Sequence, residues 1–149
     1  NVDFAPTLLD MAGLEVPSEM QGKSFMGAFE GDLKSQRKSV YYHYYEWPIW
    51  HKVQPHYGVR TDRYKLMHFY YSMDEWELYD LKTDPNEMHN IYSEAPAELI
   101  ESLKKELQEL RKEYKDDGSI EQMKRMTDTV IGRVYNEPKV YKESNNIKK

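Results

Sequence analysis

The sequence contains no cysteine, which excludes disulfide bonds, a thiol nucleophile and zinc sites built from cysteine. Its uncharged stretches fall far short of the roughly 20 apolar residues needed to span a bilayer, so we expect no membrane anchor. It also has no excess of positive charge, and the net charge of −5 argues against a nucleic-acid-binding surface. What remains is an acidic chain of 149 residues, a length that suits a single domain with a core of its own.

The chain starts at Asn1 rather than at a methionine, and no basic, apolar leader opens it. We therefore expect it to be a piece of a longer protein. The segment "DFAPTLLDMAG" predicts a short helix that begins near Pro6 and ends at Gly13, where a left-handed residue is needed. Prolines and glycines then predict an irregular connector with room for one helical turn. Residues 1–38 are thus a short helix and a linker.

Aromatic residues are abundant between residues 39 and 81. Alternation in "SVYYHYYEW" predicts a strand with aromatic side chains on both faces, so both faces are expected to meet protein. "HYGVRTDRYKLMHFYY" predicts a hairpin; with Thr61-Asp62 as its turn, Val59 faces Tyr64 and Tyr57 faces Leu66. "WELYDL" supplies a fourth strand, and "KTDPNE" closes it with a turn.

The segment from Ser93 to Lys115 predicts a long helix, because Leu99, Leu103, Leu107 and other apolar residues form one stripe. These elements predict an α+β fold in which a four-stranded antiparallel sheet packs against a long C-terminal helix. The sheet and helix occupy residues 39–117. Residues 118–149 are predicted to be a polar tail that docks on this domain.

An ordered set of segments resembles a known family: "VDFAPTLLDMAG", "MQGKSF", "GVRTDRYKL" and "ELYDLKTDPNEMHN", followed by the long helix. Together they resemble the C-terminal subdomain of the type I sulfatases, the formylglycine-dependent branch of the alkaline phosphatase superfamily. The resemblance covers roughly residues 1–117. "YYHYYEWP", the histidine after it and "HYGVRTDRYKLMHFY" look most similar to bacterial sulfatases that act on sulfated glycans, including the N-acetylglucosamine-6-sulfatase type.

The resemblance implies an enzyme that hydrolyses sulfate esters with a formylglycine, beside a calcium ion, in a large N-terminal catalytic domain. The formylglycine arises in a C/S-x-P/A-x-R motif, and the nearest candidate here, beginning at Ser93, lacks the arginine. Lys23 matches the linker between the domains. We therefore assign no catalytic and no metal-binding residue to this chain and expect it to bind neither cofactor. The implied partners are the N-terminal domain and a sulfated glycan, and the implied location is periplasmic or extracellular.

Aromatic and cationic side chains concentrate between residues 41 and 61. A sugar offers flat C–H faces that pack on aromatic rings, whereas a sulfate group needs cations or hydrogen-bond donors. Pro48 and Pro55 bound a predicted loop between the first two strands. Core packing and contact with the other domain are the alternative roles of these residues. The candidate substrate-binding residues are Trp50, His51, His56, Arg60, His43 and Trp47.

Two other functions fit the same residues. The chain could be a free-standing carbohydrate-binding or interaction module, which should show polar residues around a compact site. A domain separated from the rest of its protein should instead carry a large aromatic patch. The first predicted strand, which has aromatic side chains on both faces, favours that interpretation. The second of these alternatives is the small domain of a related phosphodiesterase or phosphonate hydrolase.

Overall fold

The computed structural model describes residues 1–32, 37–47 and 51–136, the last three of these by their backbone only. The chain divides into two compact units, Asn1–Lys38 and Ser39–Lys149. Within the described residues, no helix combines the length and apolar character that crossing a membrane requires.

The first unit contains helix α1, Phe4–Met11, and the single turn α2, Met26–Phe29. Both confirm the prediction from sequence, and Gly13 ends the first helix with a φ of +68°. The carboxylate of Asp3 accepts a hydrogen bond from the backbone N–H of Lys23 at 2.7 Å, so the connector folds back onto the start of the helix. Gly22 permits this approach, because a β-carbon there would lie 1.9 Å from the carbonyl oxygen of Val2.

The second unit is built on a four-stranded antiparallel sheet in the order β1-β2-β3-β4, as predicted. Strand β1 spans Ser39–Tyr44, β2 spans His56–Thr61, β3 spans Tyr64–Phe69 and β4 spans Glu75–Asp80. Each consecutive pair is adjacent, so every connection is local.

The predicted register of the central hairpin is wrong. Val59 pairs with Leu66 and not with Tyr64, so the turn consists of Asp62 and Arg63. Thr61 stabilises this turn, because its Oγ1 accepts a hydrogen bond from the Tyr64 N–H at 2.8 Å. Since the pairing shifts by two residues, every side chain keeps its predicted face.

The segment after β4 is a set of turns held by acidic and amide side chains, as predicted. Asn90 Oδ1 accepts hydrogen bonds from the backbone N–H groups of Leu78 and Tyr92, both at 3.0 Å. Asp84 accepts one from the His89 N–H at 2.8 Å. These contacts fix the path from the sheet edge to the long helix.

Helix α3, Ala97–Glu113, covers one face of the sheet and confirms the predicted helix. Its Leu103 and Leu107 are buried in one core with residues of the sheet. The sequence did not predict helix α4, which spans Ile120–Asn136 within the segment treated as a tail. Met123 of α4 belongs to the same core, so this helix also packs on the α3 side.

Candidate functional site

The register divides the sheet into two faces that differ in chemistry. On the helix face, one row across the strands is Tyr41, Val59, Leu66 and Leu78, and the next is His43, Tyr57, His68 and Trp76. The opposite face, called the second face below, carries three rows. They are Val40, Arg60, Lys65 and Tyr79; Tyr42, Gly58, Met67 and Glu77; and Tyr44, His56, Phe69 and Glu75.

His43 lies in a buried hydrogen-bond network on the helix face. Its Nδ1 is 2.6 Å from Asp116 Oδ2, and its Nε2 is 2.9 Å from the hydroxyl of Tyr70. The hydroxyl of Tyr41 donates to the same carboxylate oxygen at 2.5 Å. Burial lowers the pKa of His43 although the carboxylate opposes this, so we assign a neutral ring that donates from Nδ1 to Asp116. The network ties β1 to the segment just after α3.

His68 forms a second buried pair on the helix face. Its Nδ1 contacts the hydroxyl of Tyr57 at 2.9 Å, and its Nε2 contacts Asp74 at 2.6 Å. Its ring stacks on Trp76 with centroids 4.2 Å apart, and the ammonium group of Lys104 lies 4.1 Å from the indole centroid. Because both His68 and Lys104 of α3 lie against the indole, these groups stabilise the packing of α3 on the sheet.

On the second face, His56 is the centre of an aromatic cluster. Its ring stacks on Tyr44 with centroids 5.4 Å apart, and Phe69 lies 4.9 Å away on its other side. His56 Nδ1 is 2.9 Å from the carbonyl oxygen of Gln54, which orients the ring. His51, which is exposed, approaches the edge of Tyr44 at 6.3 Å. The cluster thus joins the β1–β2 loop to the strands.

The cationic end of the second face lies two rows away. Arg60 is exposed between Val40 and Lys65, and Lys65 forms an ion pair with Glu87. The ammonium group of Lys65 also lies 5.9 Å from the ring centroid of Tyr42. This part of the face therefore presents an exposed guanidinium, which forms no ion pair with the residues that the structure describes, beside a paired lysine.

Tyr42 lies between the aromatic and the cationic rows, over Gly58. A β-carbon at position 58 would lie 2.6 Å from the Tyr42 hydroxyl, so glycine is required beneath the ring. The hydroxyl is buried and has no hydrogen-bond partner among the described residues. Burial, with Glu87 and Glu77 nearby, raises the pKa of Tyr42. The hydroxyl is therefore an uncharged donor at neutral pH.

The structure brings together some of the predicted site residues and separates others. His51 and His56 meet through Tyr44, and Arg60 shares their face of the sheet. His43 points to the helix face, and Trp47 contacts Tyr71 with ring centroids 5.0 Å apart, away from the His56 cluster. Trp50 lies outside the described residues and stays a prediction.

From the sequence, the tyrosines of β1 were expected to pack against protein. Phe69 and Lys65 were not among the candidate substrate-binding residues. Strand alternation already placed Tyr42 and Tyr44 on one face. Phe69 joins His56 only through the pairing of β2 with β3, which the sequence placed in the wrong register.

The calcium ion and the formylglycine that the resemblance implies do not fit the described residues. No group of three or more histidine, aspartate or glutamate side chains in this part of the chain could hold a metal ion. The sequence has no cysteine and no serine in the required motif. No reaction step is therefore assigned to either group within these residues.

The four-stranded sheet, the covering helix and the acidic turn between them form an α+β subdomain. Residues 1–113 match the family described as N-sulphoglucosamine sulphohydrolase, C-terminal, and the chain belongs to it. The predicted family is thereby confirmed.

Two enzymes of Bacteroides thetaiotaomicron are similar to the chain. N-acetylglucosamine-6-O-sulfatase is 52% identical over 121 residues, which cover 78% of this chain and 22% of the enzyme. Delta 4,5-hexuronate-2-O-sulfatase is 39% identical over 92 residues, which cover 60% of this chain and 18% of the enzyme.

A solved structure is also similar to the chain. It shows a protein in complex with its substrate D-glucosamine-2-N,6-O-disulfate, and it is 50% identical to this chain with a TM-score of 0.75. The match covers 80% of this chain and 25% of that protein. The chain thus spans about a quarter of the length of these relatives, and corresponds to the C-terminal portion of such sulfatases.

Proposed function

We propose that the chain is the C-terminal portion of a sulfatase that hydrolyses sulfate esters on amino-sugar glycans. The observation that carries this proposal is the 52% identity to an N-acetylglucosamine-6-O-sulfatase. It is supported by the 50% identity to a protein solved with a disulfated glucosamine as its substrate. The nucleophile and the metal site then belong to an N-terminal catalytic domain. A periplasmic or extracellular location stays a prediction from the resemblance.

The second face and the β1–β2 loop are proposed to complete the substrate pocket of that enzyme. Tyr44 stacks on His56 and Phe69 is tilted against its other side, so the two outer rings of this cluster can meet the apolar face of a sugar. His51 is exposed at the edge of this cluster, where its ring can donate a hydrogen bond to a sugar hydroxyl or a sulfate oxygen. Arg60 supplies positive charge on the same face.

His51→Ala is the direct test of this surface, made in the full-length protein. We expect KM for the sulfated glycan to rise, or kcat/KM to fall, by about tenfold, equivalent to about 1.4 kcal/mol. The melting temperature should stay within about 1 °C, because the side chain is exposed and lies at the edge of the cluster. Steady-state kinetics and thermal unfolding measure the two effects.

Lys52→Ala is the matched control, since Lys52 is the next residue and is also exposed. It removes a positive charge from the same loop without removing the histidine. Wild-type kinetics for His51→Ala, or equal losses in both variants, would show that His51 does not contact the substrate.

A second expectation concerns the 149-residue chain by itself. It should not hydrolyse an aryl sulfate or a 6-O-sulfated glucosamine above background, with or without calcium, because the motif for the nucleophile is missing. The measurement is release of sulfate by a homogeneous preparation. Turnover that disappears on a substitution within these residues would contradict the proposal that the chemistry lies in another domain.

A further inference from the structure

The outer side of helix α1 is an exposed apolar stripe. Phe4, Leu8 and Met11 follow one another at steps of four and three residues, so they share one side of the helix. These residues are 61%, 64% and 61% exposed. Ala5 and Ala12, which lie beside them around the helix, are exposed as well. A helix of a folded domain normally buries such a stripe against a partner.

The opposite side of α1 is bonded to the connector that follows the helix. Pro6 and Thr7 are buried there. Thr7 Oγ1 accepts a hydrogen bond from the Phe25 N–H at 3.1 Å, and the carboxylate of Asp10 accepts one from the Ser24 hydroxyl at 2.5 Å. Turning the stripe inward would break both bonds. The stripe therefore stays on the outside of the first unit.

Aromatic side chains extend the stripe beyond the helix. The rings of Phe4 and Phe25 meet edge to face with centroids 5.8 Å apart, and the Phe29 centroid lies 6.0 Å from that of Phe25. Phe29, at the end of α2, is 70% exposed. Further exposed large apolar residues of the first unit are Val2, Leu14 and Met20. A contiguous exposed apolar surface is typical of a protein–protein interface.

The relatives indicate what covers this surface. The match covers 22% of the N-acetylglucosamine-6-O-sulfatase and 25% of the protein solved with a disulfated glucosamine, and the matching family is described as C-terminal. Most of each relative therefore precedes the matched portion. Helix α1 is the first helix of that portion, so in such an enzyme it is the helix closest in sequence to the preceding domain. Elements that are consecutive in sequence are usually neighbours in space.

We propose that the apolar side of α1, extended by Phe25 and Phe29, is the surface on which the N-terminal catalytic domain docks. The partner surface is apolar and uncharged, because a charge placed against Leu8 or Met11 would lose its hydration without gaining a partner. The proposal rests on the function proposed above, since it takes that domain as the rest of the enzyme.

Oxidation of Met11 by hydrogen peroxide tests whether the stripe is covered in the full-length protein. Mass spectrometry measures the oxidation rate in the native protein and in protein unfolded in urea, and the ratio of the two rates reports protection. Met126 of α4 is the matched control, because it also lies on a helix and is 60% exposed. We expect protection of about tenfold or more for Met11 and less than about threefold for Met126. A native rate for Met11 within about threefold of the unfolded rate would overturn the proposal.

Photocrosslinking identifies what covers the stripe. Benzoylphenylalanine in place of Leu8 in the full-length protein should form a crosslink to a peptide that precedes residue 1, whereas the same group in place of Met126 should not. Mass spectrometry of the digested protein locates the crosslink. A crosslink to a second copy of the protein, or one that falls only within residues 1–149, would contradict docking of the catalytic domain at α1.

Sulfate release from a 6-O-sulfated glucosamine, measured on the unsubstituted full-length protein, separates this proposal from the proposed function. Protection of Met11 and the expected crosslink without turnover would support the docking surface and contradict the proposed activity. Turnover with an unprotected Met11 would do the reverse.

Discussion

Leu103→Asp is expected to abolish cooperative unfolding of the second unit. Leu103 is 4% exposed and lies in the core between α3 and the sheet. An aspartate there would lose its hydration without gaining a partner, a cost of more than about 4 kcal/mol. That loss is comparable to the whole stability of a small domain. Circular dichroism during heating should show a broad, shallow transition in place of a sharp one.

Ser102→Asp is the matched control for this substitution. Ser102 precedes Leu103 on the same helix and is exposed. An aspartate at position 102 therefore introduces the same charge without entering the core. It should change the melting temperature by no more than about 2 °C. A cooperative transition retained by Leu103→Asp near the wild-type temperature would mean that α3 does not cover the sheet in solution.

The sheet and α3 could be predicted because their signals are local. Alternation within each strand fixes which side chains share a face, and the leucine stripe of α3 requires an apolar partner of the same length. The register of the hairpin could not be predicted in the same way. It depends on the hydrogen bond that Thr61 Oγ1 accepts from the Tyr64 N–H in the turn. It also depends on the hydrogen bond that the Arg63 guanidinium donates to Asp80 at 2.8 Å, between residues 17 positions apart.

Helix α4 was missed although its sequence carries a helical pattern. Ile120, Met123, Thr127 and Val130 recur at steps of three or four residues, and Met123 and Thr127 are its buried side chains among the described residues. A second local signal was present at its start. The Gln122 N–H donates to Ser119 Oγ at 3.2 Å, and the Ser119 N–H donates to Gln122 Oε1 at 2.7 Å, which is a capping box.

The arrangement of the candidate residues could not be predicted from their types. Aromatic and cationic residues between positions 41 and 61 indicated a surface for a sulfated sugar, and His51 and His56 do meet at one cluster through Tyr44. His43 was a candidate of the same residue type, with a hydrogen-bonded structural role as the alternative for a histidine inside an aromatic strand. Its partner is Asp116, 73 positions away, and only the packing of α3 on the sheet brings the two together.

Asp116→Ala is the other substitution with a large expected effect. Its carboxylate oxygen accepts hydrogen bonds from His43, Tyr41 and Tyr45, so alanine leaves three donors without their acceptor. The side chain of His43 is 3% exposed, and water cannot readily replace the lost partner. Leaving such buried donors unpaired should lower the free energy of unfolding by about 2 to 3 kcal/mol. Urea unfolding at pH 7.5 measures this loss.

The contribution of Asp116 should also depend on pH in a defined direction. Burial raises the pKa of this carboxyl, but the hydrogen bonds from Tyr41 and His43 outweigh it and hold the pKa below the usual 3.8. A carboxyl whose pKa is lower in the folded state stabilises the fold above its unfolded value, and this stabilisation is lost as the pH falls through the folded value. The difference between wild type and Asp116→Ala should therefore persist at pH 5 and shrink only below about pH 3.8.

Asp117→Ala separates this network from a general effect of removing negative charge after α3. Asp117 is the next residue and is exposed, whereas Asp116 is half-buried against β1. Both variants lose one carboxylate, so a difference between them reports the bonds to His43 and the two tyrosines. Equal stabilities of the two variants at pH 7.5 would show that β1 is not held to the end of α3. A deficit confined to Asp116→Ala would instead place His43 within the packing of the sheet, as a residue that holds β1 to the segment after α3.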